Sequence, residues 1–194
     1  MQIDSESIDN LILLPEHPSR IGVFVSGGLD SAILYHMILQ ANIGNKHNIV
    51  PLTLIKNSSS LQLVSSVLTH IQVSCKVPAV SPMVLHGSQI KPALKQAYLL
   101  RYDRAYVGLI KELPEFLINW ESSAYPDNAF FKAPFSNLNK IDIVKLIINQ
   151  HQEHLFHITH SCAVQDIGRC NACNRCRERK WAFDSIALTD PGVL

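Results

Sequence analysis

The chain has 194 residues, 47% of them hydrophobic and 17% charged, with a formal net charge of +1. That composition supplies a sizeable core and excludes a disordered chain, while near-neutrality excludes a global basic field, so no nucleic-acid partner is expected. No apolar run reaches the roughly 20 residues that span a bilayer, and the N-terminus shows no basic segment leading into an apolar one, so neither a membrane span nor a secretory signal is expected.

The length suits a single domain over residues 1–194. Residues 1–19 are polar apart from Ile12 to Leu14, and read as an arm or edge element leading into the first strand. The apolar run Ile21 to Val25 reads as a short buried strand. Ser26-Gly27-Gly28-Leu29-Asp30-Ser31 follows, and its two glycines let the backbone turn sharply and approach a ligand closely. Asp30 or Ser31 is expected to cap a helix over Ala32 to Gln40 with Ile33, Leu34, Met37 and Ile38 on one face. Strand, glycine turn and helix start together make an anion site, because the first amides of a helix are unpaired at the positive end of its dipole. The Ser26 and Ser31 hydroxyls add donors, and Asp30 offers oxygens to a magnesium ion. The lysine-bearing phosphate loop, with its four-residue spacer and terminal Lys-Ser/Thr, is absent.

Asn42, Gly44 and Asn45 mark a turn before a second strand, Ile49 to Ile55, with Pro51 confined to its beginning. Ser58 to Ser60 opens a helix with Leu61, Val64, Ser65 and Leu68 on one face. Ile71 to Val77 reads as a third strand, with Cys75 a small buried hydrophobe within it. Pro78, Pro82 and Gly87 bracket an irregular loop, Gln89 to Leu100 reads as a helix, and Arg104 to Ile110 as the fourth strand. This alternation implies an α/β fold, a doubly wound, mainly parallel sheet covered on both faces. Ligands collect beyond the carboxyl ends of such strands, so the segments after Ile55 and Ile110 should share a cleft with Ser26 to Ser31.

The stretch from Leu113 to Asn128 is rich in aromatics and carboxylates and leaves a strand's carboxyl end. It reads as a substrate loop or as plain cover for the sheet edge. Asn139 or Asn137 begins a helix with Ile141, Val144, Ile147 and Ile148 inward. Lys140 at that helix start is a poor place for a cation unless an anion is held nearby, which makes it a candidate for phosphate.

Cys162, Cys170, Cys173 and Cys176 are separated by seven, two and two residues. Thiolates so spaced can wrap one tetrahedral zinc ion, and four of them close its sphere, which suits a structural role; an iron–sulfur cluster is the alternative. Arg169, Asn171, Asn174 and Arg175 around them offer no core to be buried in. His151, His154, His157 and His160 recur every three residues and read as exposed helix-end residues, any one a possible extra ligand. Cysteines clustered this way suit a reducing compartment, and the cytoplasm is expected.

Ser26 to Ser31 matches the SGGxDS signature of the PP-loop ATP pyrophosphatases, whose adenine nucleotide alpha hydrolase-like fold binds ATP at this turn. More of the chain, roughly residues 20 to 185, resembles the 7-cyano-7-deazaguanine synthases of the queuosine pathway. Ser123-Ala124-Tyr125-Pro126-Asp127 is similar to the family's S-G-Y-P-D segment, and Pro134 to Asp142 to its P-x-x-x-L-x-K-x-[ED] element. Thr159-His160-Ser161-Cys162 with the three later cysteines is similar to its zinc-binding C-terminus, here residues 159–180. The chain departs from the family at Lys56-Asn57-Ser58-Ser59, in place of a G-Q-R-H-like segment, and at His86-Gly87-Ser88-Gln89, in place of a P-G-R-N-like turn. Lys56 and Lys132 are candidates for the positive charge so lost.

The resemblance implies an ATP-dependent carbon–nitrogen ligase that converts 7-carboxy-7-deazaguanine and ammonia to the nitrile through an acyl-adenylate. It implies a nucleotide site at Val25, Ser26, Gly27, Gly28, Leu29, Asp30 and Ser31, with Asp30, Ser31 and Lys140 in catalysis. Tyr125, Pro126 and Asp127 would bind substrate, and Cys162, Cys170, Cys173 and Cys176 a structural zinc ion. ATP with magnesium is the implied co-substrate and a homodimer the implied assembly. A related enzyme that stops at the amide or acylates another amine, and a non-catalytic nucleotide-binding homologue, are the competing readings.

Overall fold

The computed structural model describes residues 11–54, 58–87, 89–111, 128–165 and 168–192, with the side chains of residues 58 and 59 outside the description. Strand β1 (Arg20–Phe24) is followed by helix α1 (Leu29–Ala41), a short 3₁₀ turn (Ile43–Asn45), β2 (Asn48–Leu54) and α2 (Ser58–Ser74). Then come β3 (Met83–Leu85), α3 (Ile90–Leu99), β4 (Arg104–Val107), β5 (Phe131–Lys132), α4 (Lys140–Asn149), α5 (Leu155–Ile158) and α6 (Asn174–Asp184). The five strands form one sheet in the order β3-β2-β1-β4-β5, and every neighbouring pair is parallel. The expected doubly wound α/β fold is therefore present. Strand order reverses at β1, so the crevice for a ligand lies beyond its carboxyl end, next to β4.

Alternation along β1 sorts the two faces. Ile21, Val23 and Val25 join a core with α1, α2 and α4, while Phe24 joins a second core with Leu52, Leu85, Ala93, Ala97 and Tyr102 under α3. Gly22 belongs to the second face and is a close approach: a Cβ there would lie 2.5 Å from a Leu52 methyl carbon. Ile12 of the N-terminal arm is buried in the first core, and the Tyr106 hydroxyl donates to the Leu13 carbonyl at 2.5 Å.

Helix α1 is wrapped more completely than one apolar stripe implies. Leu29, Ala32 and Tyr35 are buried along with Ile33, Leu34, Met37 and Ile38, so the helix runs through the interior between the sheet and the outer helices. Pro51 sits in the middle of β2, not at its beginning. The Leu52 carbonyl faces β1, where it accepts from the Val25 amide, so Pro51 turns its nitrogen to the other side. There β3 pairs only from Leu52 onward, and no ladder bond is lost.

The expected third strand at Ile71 to Val77 is not a strand. Helix α2 continues to Ser74, because Val64, Val67, Leu68 and Ile71 form one buried helical face. A left-handed Lys76 ends the run, Cys75 is only half-buried, and the third strand is Met83–Leu85, inside the stretch expected to be irregular. The fourth strand stops at Val107, short of Ile110. In α4 the buried positions are Lys140, Ile143, Val144, Leu146 and Ile147, and Ile141 and Ile148 lie at the edge of that face.

Candidate functional site

The turn after β1 holds itself in shape. The Ser31 hydroxyl donates to the Gly28 carbonyl at 3.1 Å, accepts from the Ser26 amide at 3.1 Å and lies 3.1 Å from the Ser26 hydroxyl. Gly27 has a φ of +81°, and a Cβ there would meet Leu63 at 2.9 Å, so both conformation and space demand glycine. The expected capping by Asp30 or Ser31 is corrected: α1 begins at Leu29, Gly28 is the N-cap, and no side chain caps the helix. Its first turn is thereby left open to an anion at the positive end of the dipole.

Pro134 to Asp142 carries a local logic. Leu138 is buried in the core and fixes the approach to α4. Asn139 is the N-cap, accepting from the amides of Ile141 and Asp142, while the Asp142 carboxylate accepts from the Asn139 amide in a complete capping box. Lys140 is then aimed inward, 5% exposed, with its Nζ 2.7 Å from both Asp30 carboxylate oxygens. In the structure the Asp30 carboxylate partners this cation. Glu178 of α6, 8% exposed, brings an oxygen to 3.8 Å from the same ammonium.

The segment leaving β4 shares this cleft, as the topology requires. A Cβ on Gly108 would lie 3.0 Å from the Asp30 carbonyl, and the Lys111 amide donates to the Leu138 carbonyl at 2.7 Å. The segment after Leu54 lies outside the described residues, Lys56 with it, and so do Tyr125, Pro126 and Asp127. Lys132 is half-buried on β5.

From the far end of the chain, the His160 amide donates to the Gly27 carbonyl at 3.0 Å, and the His160 carbonyl lies beside Gly28. Two residues later the cysteine cluster begins. The sulfurs of Cys162, Cys170, Cys173 and Cys176 all lie within 4.8 Å of one another, and those of Cys162 and Cys173 are 4.0 Å apart. Sulfurs about 2.3 Å from a tetrahedral ion stand about 3.8 Å apart, so the donor set fits one metal ion. The Gln165 amide donates to the Cys162 sulfur at 3.3 Å, and the Cys173 amide to the Cys170 sulfur at 3.2 Å. Burial works against ionising Cys162, but backbone amides led by that of Gln165 outweigh it and lower the thiol to about 6. Cys176 is pushed up to about 12, by burial first and then by its bonds to Cys173 and Cys162.

The cysteines are not set in a coreless surface. Cys176 is buried, and further along α6 Ala182 and Phe183 enter the main core. Arg179 is 1% exposed and gathers the neighbourhood. It donates to both Asp190 oxygens, at 2.9 and 3.1 Å, to the Thr159 carbonyl and hydroxyl at 3.1 Å, and to the Phe156 carbonyl at 2.6 Å. Asp190 also pairs with Arg169, beside Cys170. Burial would raise the Asp190 carboxyl, but its bonds to Arg179 and Arg169 prevail and hold it below the ordinary range. Of the spaced histidines, His151 and His157 are exposed, as expected. His154 is half-buried with its ring 4.0 Å from that of His70, and the His160 Nε2 lies 2.6 Å from the Gly168 carbonyl, so these two are structural.

Residues 122–187 match the family model described as queuosine biosynthesis protein QueC. The chain is 33% identical over 81 residues to a 7-cyano-7-deazaguanine synthase of Methanobrevibacter smithii; the alignment takes in 42% of this chain and 35% of that protein. It therefore spans about a third of the length of the curated relative it matches. Among solved structures, the U34-tRNA thiolase NcsA from Methanococcus maripaludis, described with its [4Fe-4S] cluster, superposes with a TM-score of 0.52. That likeness covers 88% of this chain and 67% of the thiolase at 9% sequence identity, and shows a shared fold.

Proposed function

We propose that the protein is an ATP-dependent ligase that converts 7-carboxy-7-deazaguanine and ammonia to 7-cyano-7-deazaguanine. One observation carries the reading. The stretch similar to the queuosine protein model, residues 122–187, is the same stretch that delivers Lys140 to the SGGxDS turn and the cysteines to its flank.

In this reading the substrate carboxylate attacks the α-phosphorus of ATP, forming an acyl-adenylate and releasing pyrophosphate. Ammonia then displaces AMP to give the amide. The amide oxygen attacks a second ATP, again releasing pyrophosphate, and leaves on AMP as the nitrile forms. The work of the chain is to align the attack and to hold the departing pyrophosphate. The open amides at the start of α1 and the Ser26 hydroxyl face the phosphates, with Ser31 fixing their geometry from within. Asp30 is the ligand for the magnesium that accompanies ATP, and Lys140 stands beside it as the phosphate cation. Tyr125, Pro126 and Asp127 bind the deazaguanine, the Asp127 carboxylate accepting from its guanine-like edge.

Zinc is the proposed occupant of the four cysteines. The sulfur separations support a single ion over a cluster, because thiolates bound to different irons are held further apart. A closed four-sulfur sphere supplies folding energy and no open position for substrate. The protein is proposed to act in the cytoplasm, as a homodimer, on small molecules and without nucleic acid.

The test is one reaction of the metal-loaded protein with magnesium, ATP, ammonium and 7-carboxy-7-deazaguanine, followed by mass spectrometry. Nitrile with AMP is the expected result. An amide that accumulates unchanged moves the chemistry to a one-step ligase, and ATP binding without pyrophosphate release moves it to a binding homologue.

A further inference from the structure

The lysine at the phosphate turn stands between two carboxylates. Lys140 is in bidentate contact with Asp30 at 2.7 Å, and a Glu178 oxygen lies 3.8 Å from the same ammonium. All three side chains are largely buried, at 6%, 18% and 10% exposure for Lys140, Asp30 and Glu178. The trio carries one net negative charge at the place where an anion is to bind. That balance suits an incoming anion poorly unless a cation arrives with it, as it does in a magnesium–nucleotide complex.

Asp30 cannot serve both cations with the same lone pairs. When it turns to a magnesium ion, Lys140 loses its contact partner, and a buried ammonium without a partner is strongly unfavourable. Glu178 removes that obstacle. A shift of the ammonium by about an ångström closes the 3.8 Å gap to ordinary ion-pair contact and leaves the charge compensated while it turns toward phosphate. The helix that supplies Glu178 is tied down on both sides of it, by Cys176 in the cysteine cluster and by the buried Arg179.

We infer that Glu178 is a positioning residue for the magnesium form of the nucleotide: it takes over Lys140 when Asp30 engages the cation. The inference rests on the proposed nucleotide site and adds a residue to it that acts only through Lys140. Its signature is a difference between two forms of one ligand. In Glu178→Gln, magnesium–ATP should bind about tenfold more weakly, a loss of the size that a hydrogen bond to a charged group contributes. Magnesium-free ATP, which leaves Asp30 on Lys140, should bind as well as before or more tightly, since one negative charge has gone. Glu178→Asp, which keeps the charge on a shorter arm, should recover most of the magnesium–ATP affinity.

The measurement is calorimetric titration of the metal-loaded protein with ATP, with magnesium and with magnesium chelated, alongside metal content and thermal midpoint. Equal losses for both ligand forms, or no loss for either, would overturn the role of Glu178. Wild-type protein that binds neither form would instead overturn the nucleotide reading beneath it.

Discussion

Replacing Arg179 with methionine is the perturbation that reaches furthest from a single side chain. The guanidinium donates to both Asp190 oxygens, to the carbonyls of Phe156 and Thr159 and to the Thr159 hydroxyl, all from a position 1% exposed. Methionine fills similar volume but leaves the Asp190 carboxylate with Arg169 and the Gly192 amide, and takes the guanidinium away from the two carbonyls. Breaking a buried ion pair from one side costs about 3–5 kcal/mol, and at about 2–4 °C per kcal/mol for a domain of this size the thermal midpoint should fall by about 10 °C. Differential scanning calorimetry reads the midpoint, and chelator-driven metal release reads the neighbouring cluster, which should lose its ion faster. Arg179→Lys keeps the charge and should recover only part of the loss, because one ammonium cannot span Asp190, Thr159 and Phe156 together. With Asp190→Asn added, the double variant should fall well short of the sum of the two single losses, since both act on one network. A midpoint within 2 °C of wild type for Arg179→Met would refute the idea that this arginine organises the C-terminal segment.

Asn139→Ala removes the capping side chain of α4 and should destabilise the fold by about 1 kcal/mol, visible as a lower urea midpoint at unchanged slope. Gly27→Ala places a side chain at a φ of +81° and against Leu63; folded protein with unimpaired ATP binding would contradict the account of the turn. His36 is buried and its pKa is lowered from 6.5 to about 4, by burial and then by the charge of His154. The unfolded chain takes up a proton first as pH falls, so the stability this histidine leaves intact above pH 6.5 is lost progressively down to about pH 4. The loss is about 3 kcal/mol, and His36→Gln should flatten that part of the profile in urea titrations at stepped pH. Metal analysis should find one zinc ion per chain, and stripping it should expose four thiols to a colorimetric reagent, leaving Cys75 as the fifth.

Much of the layout could be read from residue order alone. A strand, a glycine pair and a helix start are local facts, and so is the spacing of the cysteines. Sequence pattern and structure part where two local patterns compete. Ile71 to Val77 has the β-branched content of a strand, yet Ile71 falls in register with Val64 and Leu68, and helix packing prevailed. Met83–Leu85 is too short to show a period of its own. The site was legible as separate parts: Asp30 and Lys140 were both candidates, but nothing local says that one carboxylate chelates the other's ammonium. Glu178 and Arg179 sit in the basic run from Arg175 to Lys180, which looks like a solvated face. Only the packing of α6 against the core reveals that both are buried. Their partners, Lys140, Thr159 and Asp190, lie on other elements, beyond the reach of any window.

The bond from His160 to the Gly27 carbonyl bears on how the molecule comes into being. Translation delivers the six-residue signature well before His160, whose amide bonds to its Gly27 carbonyl. A nascent chain that displays the complete motif already has the hydroxyl bonds that shape the turn, but lacks the bond that ties it to the segment leading into the cysteines. Six adjacent residues spell the turn, but a segment made much later fastens it.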